Sequence, residues 1–214
     1  MAEVLRLLEL VAPTEATALL LGETGTGKEL AAQAIHRNSP RHDGPFVAVN
    51  CATLPETLLE SELFGHERGA FSGAVARKEG RFALAHRGTL FLDEVTEFSP
   101  TIQAKILRVL QTREFEPLGS SRPLKADVRL IAATNRDLEA MVREGKFRED
   151  LFFRLNVFPV VLPPLRERLE DLPLLAREFL RIYAQKNHRP VDSLSPEVEQ
   201  SFRHYPWPGN IREL

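Results

Sequence analysis

Up to residue 162, short apolar runs alternate with amphipathic stretches along the chain. Val4, Leu7, Leu8 and Val11 recur at the spacing of one helix face and predict a helix over residues 2–11. Further helices are predicted over residues 28–37 and 102–112, and buried strands over residues 17–21, 46–49, 90–92 and 128–133. Strands that alternate with helices are typical of the α/β class, in which helices cover both faces of a parallel sheet.

The pattern changes at residues 162–165, Leu-Pro-Pro-Leu, where two prolines disfavour both a helix and a central strand. Helices are predicted over residues 171–187 and 196–204, the second with Ser195 as its N-cap, and Asn210 is expected to cap a last helix over residues 211–214. Four residues are too few to hold a helix alone. We therefore expect an α/β core over residues 1–162 and a small helical unit over residues 163–214, cut inside its last helix.

Composition narrows the class of protein only slightly. The 214 residues carry a formal net charge of −2, so the strongly basic footprint of a nucleic-acid-binding domain is absent. The single cysteine, Cys51, excludes an intrachain disulfide and suits a reducing cytosol, so a cytoplasmic location is expected. No apolar run approaches the roughly 20 residues that a membrane-spanning helix needs, so no membrane association is expected.

A phosphate-binding motif lies between the first apolar run after the opening helix and the next predicted helix. Residues 22–28 fit the pattern G-x-x-x-x-G-K, and the motif with its following residue comprises Gly22, Glu23, Thr24, Gly25, Thr26, Gly27, Lys28 and Glu29. In such loops, backbone N–H groups and the helix N-terminus surround phosphate oxygens, and the lysine reaches the β- and γ-phosphates. Glu29 stands where many such loops have Ser or Thr, and the alternative is a glycine-rich turn without a ligand.

Two acidic residues end the predicted strand over residues 90–92. Asp93 follows Lys28 by 65 positions, with strand–helix units between them. In a phosphate-loop ATPase, this placement directs Asp93 toward Mg²⁺ and allows Glu94 to polarise the attacking water as a general base. A helix-capping acidic pair is the alternative for these two residues alone, but the combination with the glycine-rich motif favours an ATP site.

Several further motifs occur in a fixed order along the chain. They are Val-Asn-Cys-Ala at 49–52, Phe-Leu-Asp-Glu at 91–94, Ala-Ala-Thr-Asn at 132–135, Leu-Pro-Pro-Leu-Arg-Glu-Arg at 162–168 and Trp-Pro-Gly-Asn-Ile-Arg-Glu-Leu at 207–214. The most specific motif comprises Gly69, Ala70, Phe71, Ser72, Gly73 and Ala74. Together these residues resemble the AAA+ central domain of bacterial enhancer-binding proteins, the NtrC-like activators of sigma-54 RNA polymerase. Ser72 replaces that family's usual threonine, whereas Glu29 is the family's own form.

The resemblance implies a P-loop core followed by a helical lid, with ATP hydrolysis used to remodel the sigma-54 RNA polymerase holoenzyme. It implies a ring, usually a hexamer, with ATP between subunits, and DNA binding only through a helix-turn-helix domain absent from this sequence. The motif at residues 69–74 would contact sigma-54. The remaining roles implied by the resemblance are a switch residue at Asn50, a γ-phosphate sensor at Thr134 and Asn135, arginine fingers at Arg148 and Arg154, and a second sensor at Arg212.

Read without the family, these residues have simpler interpretations that stay open. Asn50 can cap the turn after its strand, and the pair at 134–135 can form an Asx turn. Arg148 and Arg154 would lie about 120° apart on a helix, and either can pair with neighbouring acids on a solvated face. Phe71 can pack into the core instead of meeting a partner. At the level of function, the alternatives are a transcription factor that acts mainly by binding DNA and an inert fragment with an incomplete lid.

Overall fold

Five parallel strands form the central sheet of the computed structural model, which describes residues 1–189, 191 and 193–214. These strands are β1 (Ala18–Leu21), β2 (Phe46–Asn50), β5 (Thr89–Asp93), β8 (Arg129–Thr134) and β9 (Phe158–Val161). Two short antiparallel pairs lie outside the sheet: β3 (Gly65–His66) with β4 (Lys78–Glu79), and β6 (Glu114–Phe115) with β7 (Leu124–Lys125). The α/β class with a parallel sheet is confirmed.

Helices precede, connect and follow the strands. They are α1 (Ala2–Val11), α2 (Lys28–Arg37), α3 (Glu56–Phe64), α4 (Arg81–Leu84), α5 (Pro100–Thr112), α6 (Leu138–Arg143), α7 (Glu149–Leu155), α8 (Leu172–Lys186), α9 (Pro196–His204) and α10 (Asn210–Glu213). The predicted bounds hold for α1, α2 and α9. Helix α5 begins two residues earlier than predicted, because Ser99 caps it and Pro100 occupies its first turn. No described helix is long and apolar enough to cross a membrane.

The order of the sheet is β2-β5-β8-β1-β9, so β1 lies between two strands that are distant from it in sequence. The sequence pattern predicts four of these strands and misses β9, which contains Pro159. A proline cannot donate to a neighbouring strand and is tolerated at a sheet edge. Strand β9 is such an edge strand and pairs with β1 alone.

Both faces of the sheet are buried, and successive residues of β5 show the alternation. Leu90 and Leu92 point into the core formed with α3, α5 and α7. Phe91 points into the opposite core, formed with α1 and α2. The strand is therefore apolar at consecutive positions because each face has its own layer of helices.

A buried arginine fixes the end of α1 against the sheet. Arg129 of β8 is 1% exposed and donates from its two terminal nitrogens to the carbonyls of Ala12, at 2.6 Å, and Val11, at 2.7 Å. These carbonyls belong to the last turn of α1 and its C-cap, where helix geometry leaves acceptors unpaired. A guanidinium also complements the negative end of the helix dipole.

The residues after β9 build a small core of their own around Leu165, Leu172 and Trp207. Trp207 packs edge-on against Phe202 at 5.2 Å between ring centroids and donates from Nε1 to the Phe202 carbonyl at 2.8 Å. This tryptophan therefore packs inside the helical unit.

We expect Leu90→Ala to lower the free energy of unfolding by about 2–5 kcal/mol, because it removes apolar contacts and leaves a cavity between sheet and helices. Leu90 is 0% exposed, whereas Leu5 on α1 is 53% exposed. The matched control Leu5→Ala should stay within about 0.5 kcal/mol of the parent. Denaturant unfolding followed by circular dichroism measures both variants, and equal losses would contradict this assignment of the core.

Candidate functional site

The candidate site lies at the carboxyl edge of the sheet. Strand β1 leads into Gly22, β5 ends at Asp93 and β8 ends at Thr134. Since β8 lies between β1 and β5, the strand ends that carry the phosphate motif and the acidic pair flank the end of β8. Open parallel sheets bind ligands at this edge, where the loops after the strands meet.

The glycine-rich loop has the conformation of an anion-binding turn. Gly25 and Gly27 adopt φ values of 83° and 100°, a left-handed region that favours glycine. The Thr26 hydroxyl donates to the Glu23 carbonyl at 2.8 Å and closes the turn. Among the described residues, none accepts a hydrogen bond from the backbone amides of Gly25, Gly27 and Lys28. These amides surround the N-terminus of α2, where an anion is stabilised.

Lys28 is buried within the loop, with 7% of its surface exposed. Its Nζ donates to the carbonyl oxygens of Gly22, at 2.8 Å, and Glu23, at 3.2 Å. The same nitrogen lies 3.8 Å from Oε1 of Glu94. The ammonium group therefore lies between the glycine-rich loop and the acidic pair.

The acidic pair has a strained and crowded geometry. Glu94 adopts φ 57° and ψ 53°, a left-handed conformation that is costly for a residue with a side chain, and its amide donates to Asp93 Oδ1 at 3.1 Å. Burial, and then the neighbouring Glu94 charge, raises the pKa of Asp93 above its usual value. A nearby cation would relieve this electrostatic cost.

Asn135 connects the acidic pair to the loop. Its backbone amide donates to Glu94 Oε2 at 3.2 Å, and its Nδ2 donates to the Thr24 hydroxyl at 2.9 Å. Thr134 is fully buried, and its hydroxyl accepts from the amide of Arg136 at 3.0 Å. Thr134 thus forms a local turn through its hydroxyl, whereas the Asn135 side chain, which would form the Asx turn of the simpler interpretation, contacts Thr24 instead.

An open cavity of about 230 Å³ lies over the glycine-rich loop. Its lining comes from the loop, the acidic pair, α2 and the last helix: Thr24, Gly25, Gly27, Lys28, Glu29, Leu30, Asp93, Glu94, Ile211 and Arg212. Arg212 is exposed and reaches the cavity from α10, although it lies at the far end of the sequence from the glycine-rich loop. The glycine-rich loop, the acidic pair and the Arg212 side chain of α10 therefore line one opening.

The prediction that Asn210 caps the last helix is wrong. Gly209 is the N-cap, and Asn210 is 0% exposed with a left-handed φ of 55°. The Asn210 side chain accepts from the Leu165 amide at 2.8 Å and donates to Glu23 Oε2 and to the Thr24 carbonyl, both at 3.1 Å. The left-handed backbone turns the side chain across the interface between the helical unit and the glycine-rich loop, away from the amides of its own helix.

Two further arginines contact the loop, and the sequence analysis assigned no role to either. Arg166 forms a paired hydrogen bond with the Glu23 carboxylate at 2.6 and 2.9 Å, and these bonds together with that from Asn210 lower the pKa of Glu23 to about 2. Arg168 is buried and donates to the Thr26 carbonyl at 2.9 Å. The signal was present in the motif at residues 162–168, which places two arginines directly after the proline junction.

Other predicted residues lie outside the cavity. Asn50 is exposed at the end of β2, and its Oδ1 accepts from the Ala52 amide at 3.0 Å, as a capping residue does. Arg148 is the N-cap residue of α7, not part of that helix, and pairs with Asp150 at 2.8 Å. Arg154 is exposed on α7. Neither Arg148 nor Arg154 is among the residues that line the cavity.

The segment at residues 69–74 connects β3 to β4 and is closed by its own backbone. The Gly69 amide donates to the Ala74 carbonyl at 2.8 Å, and the Ala74 amide donates to the Phe71 carbonyl at 3.0 Å. The Phe71 ring lies edge-on to His66 at 5.0 Å between centroids and is 37% exposed. Phe71 is thus neither buried in the core nor fully projecting, and one side of its ring faces solvent.

Comparison with known protein families assigns both parts of the chain. A model of the sigma-54 interaction domain matches residues 1–161, and a model of the AAA+ ATPase lid domain matches residues 166–214. The Nif-specific regulatory protein of Herbaspirillum seropedicae is 58% identical over 100% of this chain and 40% of its own length. The regulatory protein AtoC of Escherichia coli (strain K12) is 56% identical over 95% of this chain and 44% of its own length. The chain spans less than half the length of these two relatives.

Solved structures show the same fold. NtrX from Brucella abortus in complex with ATP superposes with a TM-score of 0.91 at 42% identity, covering 100% of this chain and 48% of that chain. The complex of NtrX with ADP gives a TM-score of 0.93 at 42% identity, over 99% of this chain and 46% of that chain. Hsp104 gives a TM-score of 0.66 at 18% identity, over 94% of this chain and 38% of that chain, a likeness that concerns the fold alone.

Proposed function

Because the chain belongs to the sigma-54 interaction domains, the AAA+ ATPase domains of bacterial sigma-54-dependent activators, we propose that it hydrolyses ATP to remodel sigma-54 RNA polymerase holoenzyme. The observation that carries the ATPase part is the meeting of Lys28, the acidic pair and Asn135 at the glycine-rich loop. Three amides of this loop, those of Gly25, Gly27 and Lys28, have no described acceptor. The nucleotide complexes of NtrX support ATP as the ligand.

We place the boundary between the nucleotide-binding core, residues 1–162, and the helical lid, residues 163–214, at the proline junction. The lid supplies Arg212 to the cavity, and the core supplies the loop and the acids. Arg212 would contact the phosphates as a second sensor. The relatives are longer than this chain. We assign DNA binding to a helix-turn-helix domain outside these 214 residues. The complete protein would act in the cytoplasm with RNA polymerase.

Mg²⁺ fits the acidic pair. In nucleotide sites this ion is held by one or two carboxylates together with substrate phosphates, so a dedicated cluster of protein ligands is not required. The described residues contain no group of three or more metal-binding side chains, and Asp93 has a raised pKa because burial and Glu94 disfavour its charge. Asp93 would hold Mg²⁺, which neutralises charge on the phosphates when bound.

Glu94 is the proposed general base. Its Oε2 accepts from the Asn135 amide, which leaves Oε1 as the oxygen for the water that attacks the γ-phosphorus. That water gives its proton to Glu94 as the bond between the γ-phosphorus and the ADP oxygen breaks. Lys28 would exchange its carbonyl partners for phosphate oxygens, with which a charged donor forms stronger hydrogen bonds.

We assign Arg148 and Arg154 to the ATP site of a neighbouring subunit in a ring, most simply a hexamer. Both side chains lie outside their own cavity, and an ATP site between subunits needs a cation for the charge that develops on the transferred phosphoryl group. The pairing of Arg148 with Asp150 would then be exchanged for a phosphate partner. Asn50 would respond to nucleotide by changing its capping bond for a contact with Glu94.

The segment at residues 69–74 is the proposed contact with sigma-54. A partly exposed aromatic ring at the turn of a strand connection is suited to a protein contact. None of the six residues lines the phosphate cavity, so hydrolysis would act on this segment through movement of the elements between them.

Glu94→Gln should retain nucleotide binding and lose turnover by about 10²–10⁴-fold, because the amide cannot accept the proton of water. Lys28→Ala should instead weaken nucleotide binding by about ten- to a hundredfold, since charged hydrogen bonds contribute roughly 1.5–3 kcal/mol. Phosphate release and nucleotide titration measure the two effects. Lys146→Ala is the matched control on an exposed lysine. Turnover of Glu94→Gln at the parent rate would exclude Glu94 as the base.

Mixing Arg154→Ala subunits with Glu94→Gln subunits should restore part of the ATP turnover that each lacks alone. Some interfaces then join an intact Glu94 to an intact Arg154 from its neighbour. The measurement is turnover across mixing ratios, with mixed rings verified by native mass spectrometry. Arg108→Ala is the control, because Arg108 is an exposed arginine that pairs with Glu116. This variant should retain ATP turnover by itself, without mixing. Verified mixed rings without recovery would place Arg154 within a single subunit.

Phe71→Ala should abolish sigma-54 binding and open-complex formation while ATP turnover stays within about twofold of the parent, because the ring lies outside the phosphate cavity. A pull-down with sigma-54 in the presence of ADP–aluminium fluoride, beside a turnover assay, measures both. Val75→Ala removes an apolar side chain that is 81% exposed just outside the motif and should bind normally. Ser72→Thr restores the family's usual residue and should be tolerated. Unchanged binding by Phe71→Ala would exclude this segment as the contact.

A further inference from the structure

The lid holds successive carbonyl groups of the phosphate loop. The Thr24 carbonyl accepts from Asn210 Nδ2 at 3.1 Å, the Gly25 carbonyl from the Ile211 amide at 3.0 Å, and the Thr26 carbonyl from Arg168 at 2.9 Å. All three donors come from the lid. The loop is thus bound to the lid through its acceptors, one residue after another.

The donors of the same loop remain available for a ligand. No described residue accepts from the amides of Gly25, Gly27 and Lys28. A run of neighbouring amides that point to one side forms an anion-binding concavity. Because the lid occupies the carbonyl side of residues 24–26, the loop keeps its amide side turned toward the cavity. The lid contact and the phosphate contact therefore use opposite sides of one backbone.

Glu23 provides a second attachment. Its carboxylate accepts two hydrogen bonds from Arg166 and one from Asn210, and these lower its pKa to about 2, so Glu23 is charged at neutral pH. Asn210 is fully buried and also accepts from the amide of Leu165. One side chain consequently joins the start of the lid, the phosphate loop and the Glu23–Arg166 pair.

The packing at this joint is close. A Cβ atom at Gly25 would overlap the carbonyl oxygen of Gly209 on the lid, in addition to straining a φ of 83°. Gly25 therefore permits the lid to approach the loop as well as permitting its left-handed turn. Arg212 does not take part in these bonds and instead lines the cavity.

We propose that Asn210, Arg166 and Arg168 are positioning residues of the nucleotide site, which set affinity by holding the Glu23 carboxylate and the carbonyl groups of residues 24–26 without touching nucleotide. The proposal rests on the nucleotide site described above. Nucleotide binds those molecules in which the loop is ordered. Its apparent affinity therefore decreases when the fraction of such molecules decreases. By reciprocity, bound nucleotide should strengthen the lid contact to the same degree.

Asn210→Asp tests the joint selectively. The aspartate keeps an acceptor for the Leu165 amide, removes the donor to Thr24 and Glu23, and places a second carboxylate beside Glu23. We expect the Kd for a fluorescent, non-hydrolysable ATP analogue to rise about fivefold or more, since each lost hydrogen bond is worth roughly 1 kcal/mol. Adding Glu23→Gln to Asn210→Asp restores a donor–acceptor pair and removes the repulsion between the two carboxylates. The double variant should therefore recover part of the affinity, which a merely structural defect would not. Recovery stays partial, because the Arg166 pair loses its charged partner and the Thr24 carbonyl still lacks its donor.

Arg181→Ala is the matched control, because Arg181 forms a paired hydrogen bond with Glu178 on α8, on the same lid but away from the loop. It should bind the analogue as the parent does. Hydrogen exchange at the amides of Leu165 and Ile211 should slow when the analogue binds the parent, and slow less in Asn210→Asp. Arg166→Ala changes an exposed side chain and should raise the Kd severalfold even where a substitution of buried Asn210 fails to fold.

Three results would overturn the positioning role. The first is parent-like affinity of Asn210→Asp or, where that variant does not fold, of Arg166→Ala. The others are no recovery of affinity in the double variant and an equal loss of affinity in Arg181→Ala. Lys28→Ala separates this failure from failure of the nucleotide site itself. If Lys28→Ala loses binding while the joint variants retain it, only the positioning role is wrong. If Lys28→Ala also binds normally, the nucleotide site is wrong.

Discussion

A backbone that binds phosphate through its amides must have its carbonyl groups satisfied elsewhere, and this constraint organises the structure. The loop after β1 turns sharply at Gly25 and Gly27, and the amides of these two glycines and of Lys28 have no described acceptor. Lys28 and Thr26 satisfy the carbonyl oxygens of Gly22 and Glu23. Those of residues 24–26 have no described partner in the core. The lid donates to those of residues 24–26, so the two parts of the chain complete a single site.

The charges of the site depend on the same arrangement. Lys28 is almost buried and lies between loop carbonyls and Glu94. Asp93 and Glu94 crowd each other at the end of a buried strand, and burial is the largest cause of the raised Asp93 pKa. The site combines two adjacent half-buried carboxylates, the cations of Lys28 and Arg212, and loop amides that have no described acceptor. Phosphate oxygens and a divalent cation would together supply the missing partners.

The proposed outputs of the domain are spatially separate from the phosphates. Phe71 packs against His66 in the connection between β3 and β4, and Arg148 and Arg154 lie at the start and on the exposed side of α7. In the proposed ring, this separation would allow hydrolysis in one subunit to affect a neighbouring subunit and a partner protein. It also makes the intervening elements, including Asn50 at the end of β2, the natural place for a two-state change.

Local chemistry allowed much of the molecule to be predicted from the sequence alone. The glycine spacing, the apolar strands, the acidic pair and the serine N-cap of α9 each depend on residues near one another in the chain. The family motifs indicated the class of ATPase. The structure brings Lys28 within 3.8 Å of Glu94, whereas the roles of Lys28, Asp93 and Glu94 stay predictions. Sequence reasoning placed these groups together because parallel strands deliver their carboxyl ends to one edge.

Tertiary structure decided the rest, because the remaining contacts join distant parts of the chain. Pro159 disfavours a strand inside a sheet, and only the order of the strands places β9 at an edge, where a proline is tolerated. Arg129 contacts the end of α1 across 117 and 118 positions, and Arg166 and Asn210 reach Glu23 across 143 and 187 positions. Asn210 is a residue type that often caps helices, and the local sequence therefore predicted that role for it. Its left-handed backbone and the packing of the lid instead direct its side chain to the phosphate loop, a choice that no local pattern encodes.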